Sequence, residues 1–335
     1  MSSLPLFPQP DKPRLVGIAR LASEGESLRE GHNVEYFTLP AKSVLNRCVS
    51  RRGVPFTWTI NPYRGCEFGC KYCYARYTHE FMEMRDGVAF EQKIYVKQHT
   101  AELLRQELRQ VKPGDSIAIG AATDPYQPAE KRYEVTRGIL EEFARHEGFH
   151  LGIITKSNLI VRDLELLQEV SRRNRFSVHV TVTTLNVELA RILEPRAPRP
   201  DLRLEAIKTL QEAGIRVGMS GSPVLPGITD SPKDLEALVR AAAQAGVYHM
   251  FAGPLYLKPC SAAVFLPFLE KQFPHLAENY KRRYHERAFL PASYAKPLAK
   301  LVERLREKYG IGRDFHRSQT IVPKMHTEGE QMDLF

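Results

Sequence analysis

Three of the five cysteines in this chain lie within eight residues of one another, in the stretch NPYRGCEFGCKYCYARYTHEF. Cys66, Cys70 and Cys73 have the spacing C-x3-C-x2-C. Three thiolates presented by one loop can each bind one iron of a cubane [4Fe–4S] cluster. Because a cubane has four irons, one iron would lack a protein thiolate, and an open metal position can accept a substrate or cofactor.

The residue types around the cysteines suit such a cluster. Gly65 and Gly69 would let the loop fold tightly, because glycine adopts backbone angles that other residues avoid. Phe68, Tyr72 and Tyr74 would keep bulk water away and so tune the reduction potential.

A structural zinc ion is the alternative for the same cysteines. His79 would then be the fourth ligand, although zinc ligands usually come as two separated pairs. Cys48 and Cys260 stand alone, and an odd total of five cysteines does not suit a secreted disulfide framework. In a reducing cytoplasm, bunched cysteines bind metal or perform redox chemistry more often than they pair.

Length and composition place the chain among globular proteins. Its 335 residues, 43% of them hydrophobic, are enough for one large barrel with an appendage. No apolar run approaches the roughly 20 residues of a membrane helix, and the N-terminus lacks an apolar signal region, so we expect a soluble, cytoplasmic protein. The net charge of +9 favours DNA or RNA as a partner, or reflects only a solvated basic surface.

The elements that must position the cysteines alternate between strands and helices. Strand patterns occur at residues 56–63, 116–122, 150–156, 176–184, 215–224 and 247–253. Helical patterns occur at residues 100–111, 135–146, 162–173, 202–214 and 231–246. This α/β alternation predicts parallel strands with right-handed crossovers, in a doubly wound sheet or an incomplete barrel. Either fold places functional residues at the carboxyl ends of the strands.

The cysteine stretch and several segments after it resemble the radical S-adenosylmethionine superfamily. The resemblance is nearest to its spore photoproduct lyase-like, or DNA repair photolyase-like, branch and covers about residues 55–260. Besides NPYRGCEFGCKYCYAR, it rests on the segments TDPYQPAEKRYEVTR, ITKS, VTVTTLN, LEPRAPRPDLRLEAIKTLQEAGI and GSPVLPGITD. It implies a partial (β/α)6 barrel at 55–260. The residues outside that range predict an N-terminal lead-in at 1–54, a C-terminal helical extension at 261–310 and a mobile tail at 311–335.

The resemblance also implies a reaction. Cys66, Cys70 and Cys73 would ligate three irons of a [4Fe–4S] cluster, and S-adenosylmethionine would chelate the fourth. One electron, from a donor such as a flavodoxin or ferredoxin, would cleave the sulfonium to a 5′-deoxyadenosyl radical. A lyase-like reaction on a nucleic-acid base is then expected. The alternatives are a protein or small-molecule substrate, or a non-catalytic nucleic-acid-binding protein with a structural metal.

By position, residues at the strand ends would hold S-adenosylmethionine. Thr123 and Asp124 could accept from its amino group, and Lys156 could pair with its carboxylate. Thr183 or Asn186 could meet the ribose, with the backbone near Tyr72 and the sixth strand near Phe251 beside the adenine. Structural roles are the alternatives: a turn at Asp124, an ion pair for Lys156, and a strand end and helix cap at Thr183 and Asn186.

The chain departs from spore photoproduct lyase at the hydrogen donor. That enzyme uses a cysteine after the second strand, where this chain reads GAATDPYQP. Cys260 could reach the same rim or be simply buried. Tyr126 and Tyr256 could relay a radical or simply pack. The lyase activity itself therefore does not carry over.

The chain ends in a five-residue segment that resembles the bacterial sliding-clamp-binding peptide: Gln331, Met332, Asp333, Leu334 and Phe335. Such a peptide binds extended, with its leucine and phenylalanine in apolar pockets. The alternatives are a chance match and docking on the protein itself.

Overall fold

The computed structural model describes residues 15–31, 33–48 and 55–312. Its strands are β1 (Ser27–Gly31), β2 (Val34–Pro40), β3 (Leu45–Arg47), β4 (Trp58–Ile60), β5 (Tyr63–Arg64), β6 (Lys93–Gln98), β7 (Ser116–Ile119), β8 (His150–Thr155), β9 (Arg175–Thr181), β10 (Val217–Ser220) and β11 (His249–Phe251). Its helices are α1 (Gly17–Ser23), α2 (Ala89–Gln92), α3 (Thr100–Glu107), α4 (Glu130–Tyr133), α5 (Val135–Ala144), α6 (Leu164–Arg173), α7 (Val187–Leu193), α8 (Pro200–Glu212), α9 (Pro232–Gln244), α10 (Pro259–Gln272), α11 (Pro274–Tyr284) and α12 (Ala292–Lys308).

The larger sheet has seven strands in the order β11-β10-β9-β8-β7-β4-β3. From β4 to β11 the strands are parallel and follow chain order, and the short β3 pairs antiparallel with β4 at one edge. A doubly wound sheet would reverse its strand order at a switch point. This order instead proceeds in one direction, which confirms the predicted α/β partial barrel.

Apolar strand residues hold the sheet against its covering helices. All four residues of β10 are buried, as is expected when a parallel strand is covered on both faces. Ile139 and Phe143 of α5, Val170 of α6 and Leu210 of α8 are fully buried in the same core cluster. Each helix therefore buries one face against the sheet, and the strand ends are fixed relative to one another.

Two predicted helix boundaries carry the expected stop and start signals. Ser231 caps α9, because its Oγ accepts a hydrogen bond from the Asp234 backbone N at 3.1 Å. Gly246 follows the helix with a φ of +78°, which only glycine adopts readily. These signals turn the chain sharply into β11.

A second sheet of four strands, in the order β1-β2-β6-β5, lies outside the sequence prediction. Residues 34–39, in which apolar and polar side chains alternate, form most of β2, whereas the sequence analysis treated residues 1–54 only as a lead-in segment. The described part of that lead-in instead contains α1, β1, β2 and β3. Strand β6 was missed because its partners β2 and β5 are distant in sequence or only two residues long.

The C-terminal extension is helical, as predicted, and consists of α10, α11 and α12. Leu298, Val302 and Leu305 of α12 are buried in the barrel's core cluster. Within the described residues, no helix combines the length and apolar character needed to cross a membrane. The clamp-like segment Gln331 to Phe335 lies outside the residues that the structure describes.

Gly120, directly after β7, tests the packing at the strand ends. Its φ is +91°, and a Cβ there would lie 2.5 Å from both Ile154 O and Pro125 Cδ. We expect Gly120→Ala to lower the free energy of unfolding by about 2 kcal/mol or more. Gly138, inside α5, has open space at its Cβ, so Gly138→Ala should raise stability by up to about 1 kcal/mol.

Urea denaturation of both variants, followed by circular dichroism, measures these changes. Equal stability of the wild-type protein and Gly120→Ala would contradict the described backbone at this turn.

Candidate active site

The carboxyl ends of the barrel strands surround a cavity of about 490 Å³. All three clustered cysteines line it, together with residues that follow β4, β7, β8, β10 and β11. The predicted site residues at the cavity are Cys66, Cys70, Cys73, Tyr72, Thr123, Asp124 and Lys156. The structure thus brings seven of the nine barrel residues singled out from the sequence to one place.

Hydrogen bonds to backbone atoms of the cysteine loop attach it to three other elements. Cys66 N donates to Phe90 O at 2.9 Å, just before β6. Lys71 N donates to Leu193 O at 2.9 Å, at the end of α7. The Ser261 hydroxyl, in α10, donates to Cys73 O at 2.8 Å. The loop is therefore held at its start, middle and end.

Gly65 and Gly69 make the tight loop possible, as predicted. Their φ angles are +82° and +63°, in the left-handed region. A Cβ on Gly65 would lie 2.6 Å from Lys93 O, and one on Gly69 would lie 2.7 Å from Glu91 Oε2. Any side chain here would push the loop away from α2 and β6.

Two arginines, the buried Arg76 and the exposed Arg196, brace the loop. Arg76 Nη2 donates to Cys70 O at 2.9 Å and pairs with Glu91 Oε2 at 3.0 Å. Arg196 Nη1 donates to Glu67 O at 3.2 Å and to Glu91 O at 3.1 Å. Both arginines thus donate to backbone carbonyl oxygens of the loop, and Arg196 also donates to one of α2. The planar guanidinium presents several donors in a fixed fork, so one side chain can hold two acceptors at once.

The segment TDPYQPAE supplies a second brace. Glu67 N donates to Gln127 Oε1 at 3.0 Å, and Gln127 Nε2 donates to Gly65 O at 3.1 Å. Ala129 N donates to Glu67 Oε1 at 2.7 Å, and the Tyr36 hydroxyl donates to Glu67 Oε2 at 2.7 Å. Gln127 is fully buried, so its hydrogen bonds satisfy polar groups that water cannot reach.

The thiols themselves lie in a largely apolar environment that disfavours their deprotonated form. Cys66 and Cys70 are each 8% exposed, and Cys73 is half-buried. Burial, with the negative charges of Asp124 and the neighbouring cysteines, raises the pKa of the Cys66 thiol well above its usual range. Burial likewise raises the pKa of Cys70 to about 12. Deprotonated, these thiols require a cationic centre between them.

The donor set fits an iron–sulfur cluster better than a single zinc ion. Within the described ranges, no three cysteine, histidine or carboxylate side chains are placed to hold one metal ion, whereas a cubane takes one thiolate per iron. His79, the fourth ligand of the zinc alternative, packs against Phe90 and bonds to Lys93 O at 3.0 Å through Nε2. It does not line the cavity.

Asp124 joins the ends of β7 and β8. Its carboxylate accepts from the Thr155 hydroxyl at 2.7 Å, from Lys156 N at 2.7 Å and from Tyr126 N at 2.9 Å. Burial raises the pKa of Asp124, while these hydrogen bonds oppose that rise. The neighbouring Thr123 hydroxyl donates to Tyr63 O at 3.1 Å. Both residues therefore brace the rim as well as line it.

A buried network of charges lies beside Cys70. Arg203 Nη2 pairs with Glu194 Oε2 at 2.5 Å, and the hydroxyls of Tyr72 and Thr183 both donate to Glu194 Oε1. Burial tends to raise the pKa of Glu194, but the charges of Arg203 and Lys156 lower it overall.

Lys156 belongs to the same network and faces the cavity. Burial tends to lower the pKa of Lys156, but the negative charges of Cys70 and Glu194 raise it overall. Its Nζ lies 5.8 Å from the centre of the Tyr72 ring. The lysine therefore stays charged in the cavity wall.

Thr183 and Asn186 do not line the cavity. Thr183 is buried against Glu194, and Asn186 is exposed and caps α7, where its Oδ1 accepts from Leu189 N at 3.0 Å. Polar side chains at neighbouring strand ends line the cavity instead: Thr181, Ser220 and Ser222.

Of the residues considered as hydrogen donors or radical relays, one lines the cavity and two do not. Tyr256 lines the cavity, as does Phe251, which is 45% exposed. Tyr126 is fully buried elsewhere, and Cys260 is half-buried in α10 and does not line the cavity. Cys48, which the sequence analysis left without a role, does line it.

Comparison with known proteins agrees with this site. The family model described as the radical SAM superfamily matches residues 60–242. An uncharacterized protein of Mycobacterium tuberculosis strain H37Rv is 36% identical over 287 residues, covering 85% of this chain and 83% of that protein. An uncharacterized protein of Methanocaldococcus jannaschii is 28% identical over 232 residues, covering 69% and 81%.

Among solved structures, a spore photoproduct lyase variant with bound AdoMet and dinucleoside spore photoproduct has a similar fold. The TM-score is 0.62 at 15% identity, covering 83% of this chain and 80% of the lyase.

We predict that Arg203 and Glu194, which form a buried ion pair, each stabilise the fold only when the other is present. Arg203→Met leaves Glu194 buried without its partner and should lower the free energy of unfolding by about 3–5 kcal/mol. The double variant Glu194→Gln/Arg203→Met should recover part of that loss, because neither charge of this pair is left buried alone, although Lys156 loses the nearby carboxylate of Glu194. Arg199→Met, which breaks the exposed pair with Asp201, is the control and should cost less than about 1 kcal/mol.

Chemical denaturation of the four proteins tests this coupling. If the double variant is less stable than Arg203→Met, the pair does not carry the compensation described.

Proposed function

We propose that this chain, which belongs to the radical SAM superfamily, cleaves S-adenosylmethionine reductively at a [4Fe–4S] cluster held by Cys66, Cys70 and Cys73. One observation carries the proposal. The three thiols of CEFGCKYC, on a loop braced from several sides, line a single cavity at the carboxyl ends of the parallel strands. When bound, the cluster and S-adenosylmethionine supply a 5′-deoxyadenosyl radical, which abstracts a hydrogen atom from the substrate.

The chain's own residues hold the cofactors and exclude water. The three thiols would each bind one iron, leaving one iron open. Phe68 and Tyr72 are buried beside them, and Tyr74 is largely buried. Because water would react with a radical or leak protons, this apolar wall protects the reaction.

Polar groups at the strand ends suit the two charged parts of S-adenosylmethionine. Lys156 would bind its carboxylate, because its ammonium is charged and lines the cavity. Asp124, with Thr123, would place a negative charge and an oxygen near its amino group. Phe251 and the backbone at Tyr72 would flank the adenine.

For the ribose contacts we propose different residues than the sequence suggested. Thr183 and Asn186 were expected there, but Thr181, Ser220 and Ser222 line the cavity and would meet the ribose hydroxyls.

The substrate class that fits best is a base of DNA or RNA. Support comes from the fold shared with a lyase whose structure holds a dinucleoside spore photoproduct, and from the net charge of +9. A peptide or small molecule is the alternative. The reaction would be lyase-like in its radical chemistry, with an electron from a flavodoxin- or ferredoxin-like donor.

Anaerobic reconstitution tests the radical chemistry. The protein is loaded with iron and sulfide, reduced and given S-adenosylmethionine, and 5′-deoxyadenosine is measured by chromatography. Cys70→Ala should reduce product formation at least about 100-fold, because one iron loses its ligand. Cys260→Ala is the matched control and should retain product formation, since that cysteine lies outside the cavity. Full activity in Cys70→Ala would refute the ligand assignment.

We also propose that the C-terminal tail binds a bacterial sliding clamp. Removal of Gln331 to Phe335 should abolish binding to a bacterial sliding clamp, measured by surface plasmon resonance, because the leucine and phenylalanine anchors are lost. Glu328→Ala, outside the five residues, is the control and should bind like the wild-type chain. Unchanged clamp affinity after the truncation would rule out this role for the tail.

A further inference from the structure

The charges that line the cavity do not balance. Among the described residues around it, three are cationic, Arg64, Lys97 and Lys156, and one, Asp124, is a carboxylate. The carboxylate of Asp124 already accepts three hydrogen bonds at the rim. Lys156 follows β8 on the barrel side, whereas Arg64 and Lys97 come from β5 and β6 of the second sheet. The excess positive charge therefore lies where the second sheet meets the cavity.

Lys97 is a buried lysine that pairs with none of the described residues. It is only 8% exposed, and its side chain forms no hydrogen bond or ion pair with any residue that the structure describes. The nearby Glu107 carboxylate instead accepts from the backbone N of Val44 at 3.0 Å and of Leu45 at 2.8 Å. Burial and the charge of Arg64 lower the pKa of Lys97 to about 7, against a smaller opposing effect of Glu107.

Arg64 has unused donors beside it. Its Nη1 donates to Thr78 O at 3.4 Å, a long hydrogen bond, and its buried Nε has no partner among the described residues. The guanidinium and the ammonium both face the cavity, where the 3-10 segment Tyr74–Met82 contributes Tyr77, Thr78 and Phe81 to the wall. Buried cations without counter-charges are unfavourable unless a ligand supplies the anion.

We infer that Lys97 and Arg64 form an anion subsite for a phosphate group of the substrate. The forked donors of the Arg64 guanidinium and the compact charge of the Lys97 ammonium together match the oxygens of a phosphate group. This inference rests on the proposed function and narrows it: the substrate is a phosphate-linked nucleotide, such as a residue within a DNA or RNA strand. The carboxylate of S-adenosylmethionine is left to Lys156, which follows β8 of the barrel.

A binding experiment on the reconstituted, S-adenosylmethionine-loaded protein tests the subsite without relying on radical formation. The probes are the dinucleotide TpT and its methylphosphonate analogue, which has the same bases but no backbone charge. The variants are Lys97→Met, which keeps the length of the side chain, and Lys93→Met on the same strand, which does not line the cavity. Isothermal titration calorimetry under anaerobic conditions measures the Kd of each pair.

TpT affinity should fall about 10-fold or more in Lys97→Met and stay unchanged in Lys93→Met, as loss of one charge-assisted bond predicts. The methylphosphonate should bind the wild-type protein more weakly than TpT and be insensitive to Lys97→Met.

Three outcomes would overturn the inference. They are no measurable TpT binding to the wild-type protein, equal TpT affinity in Lys97→Met, and loss of S-adenosylmethionine affinity in place of TpT affinity. The last result would assign the lysine to the cofactor. Failure of the proposed function itself is recognised separately, as the absence of 5′-deoxyadenosine from the wild-type protein.

Discussion

The burial of three clustered thiols is the constraint on which the rest of this structure depends. Because apolar surroundings raise the pKa of the Cys66 and Cys70 thiols, the loop that brings Cys66, Cys70 and Cys73 together needs other residues to hold it and, once the thiols are deprotonated, a cation to neutralise them. The arginines, the glutamine and the α10 hydroxyl that bond to its backbone supply the first requirement. An iron–sulfur cluster would supply the second. The barrel then serves as the rigid frame from which these braces reach inward.

Around Cys70 the protein arranges charge in layers. Glu194 lies between Arg203 and Lys156, and the hydroxyls of Tyr72 and Thr183 satisfy its remaining oxygen. A carboxylate with this many partners is fixed in position, so the field that it and its cations exert on the cavity is preorganised. The cavity residues proposed to bind cofactor and the residues that keep them in place are thus parts of one network of hydrogen bonds and charges.

Local patterns were enough to predict the parallel strands, the cysteine site and most of its rim. Each depends on contiguous residues: a buried strand, a polar strand end, a short cysteine spacing. The pairing of β2 with β6 and the brace from Gln127 to Gly65 depend on contacts between residues far apart in the sequence, which periodicity does not encode. Arg203 illustrates the loss. Within the chain it looks like one of a cluster of surface cations, yet it is buried against Glu194. The segments TDPYQPAE and LEPRAPRP contained the signal, as charged residues set among prolines and apolar neighbours.

The ladder between β5 and β6 has a geometric consequence. Arg64 pairs with Tyr95, and two residues beyond each lie Cys66, at the start of the cysteine loop, and Lys97. The first thiol and the cationic pair are therefore connected through one pair of short hydrogen-bonded strands. If the small sheet moves against the barrel, Cys66 and the cationic pair move together, so the distance between the proposed cluster and a substrate bound at the proposed anion subsite would be maintained. Hydrogen-atom abstraction falls off steeply with distance, so this arrangement would protect the proposed reaction from the protein's own thermal motion.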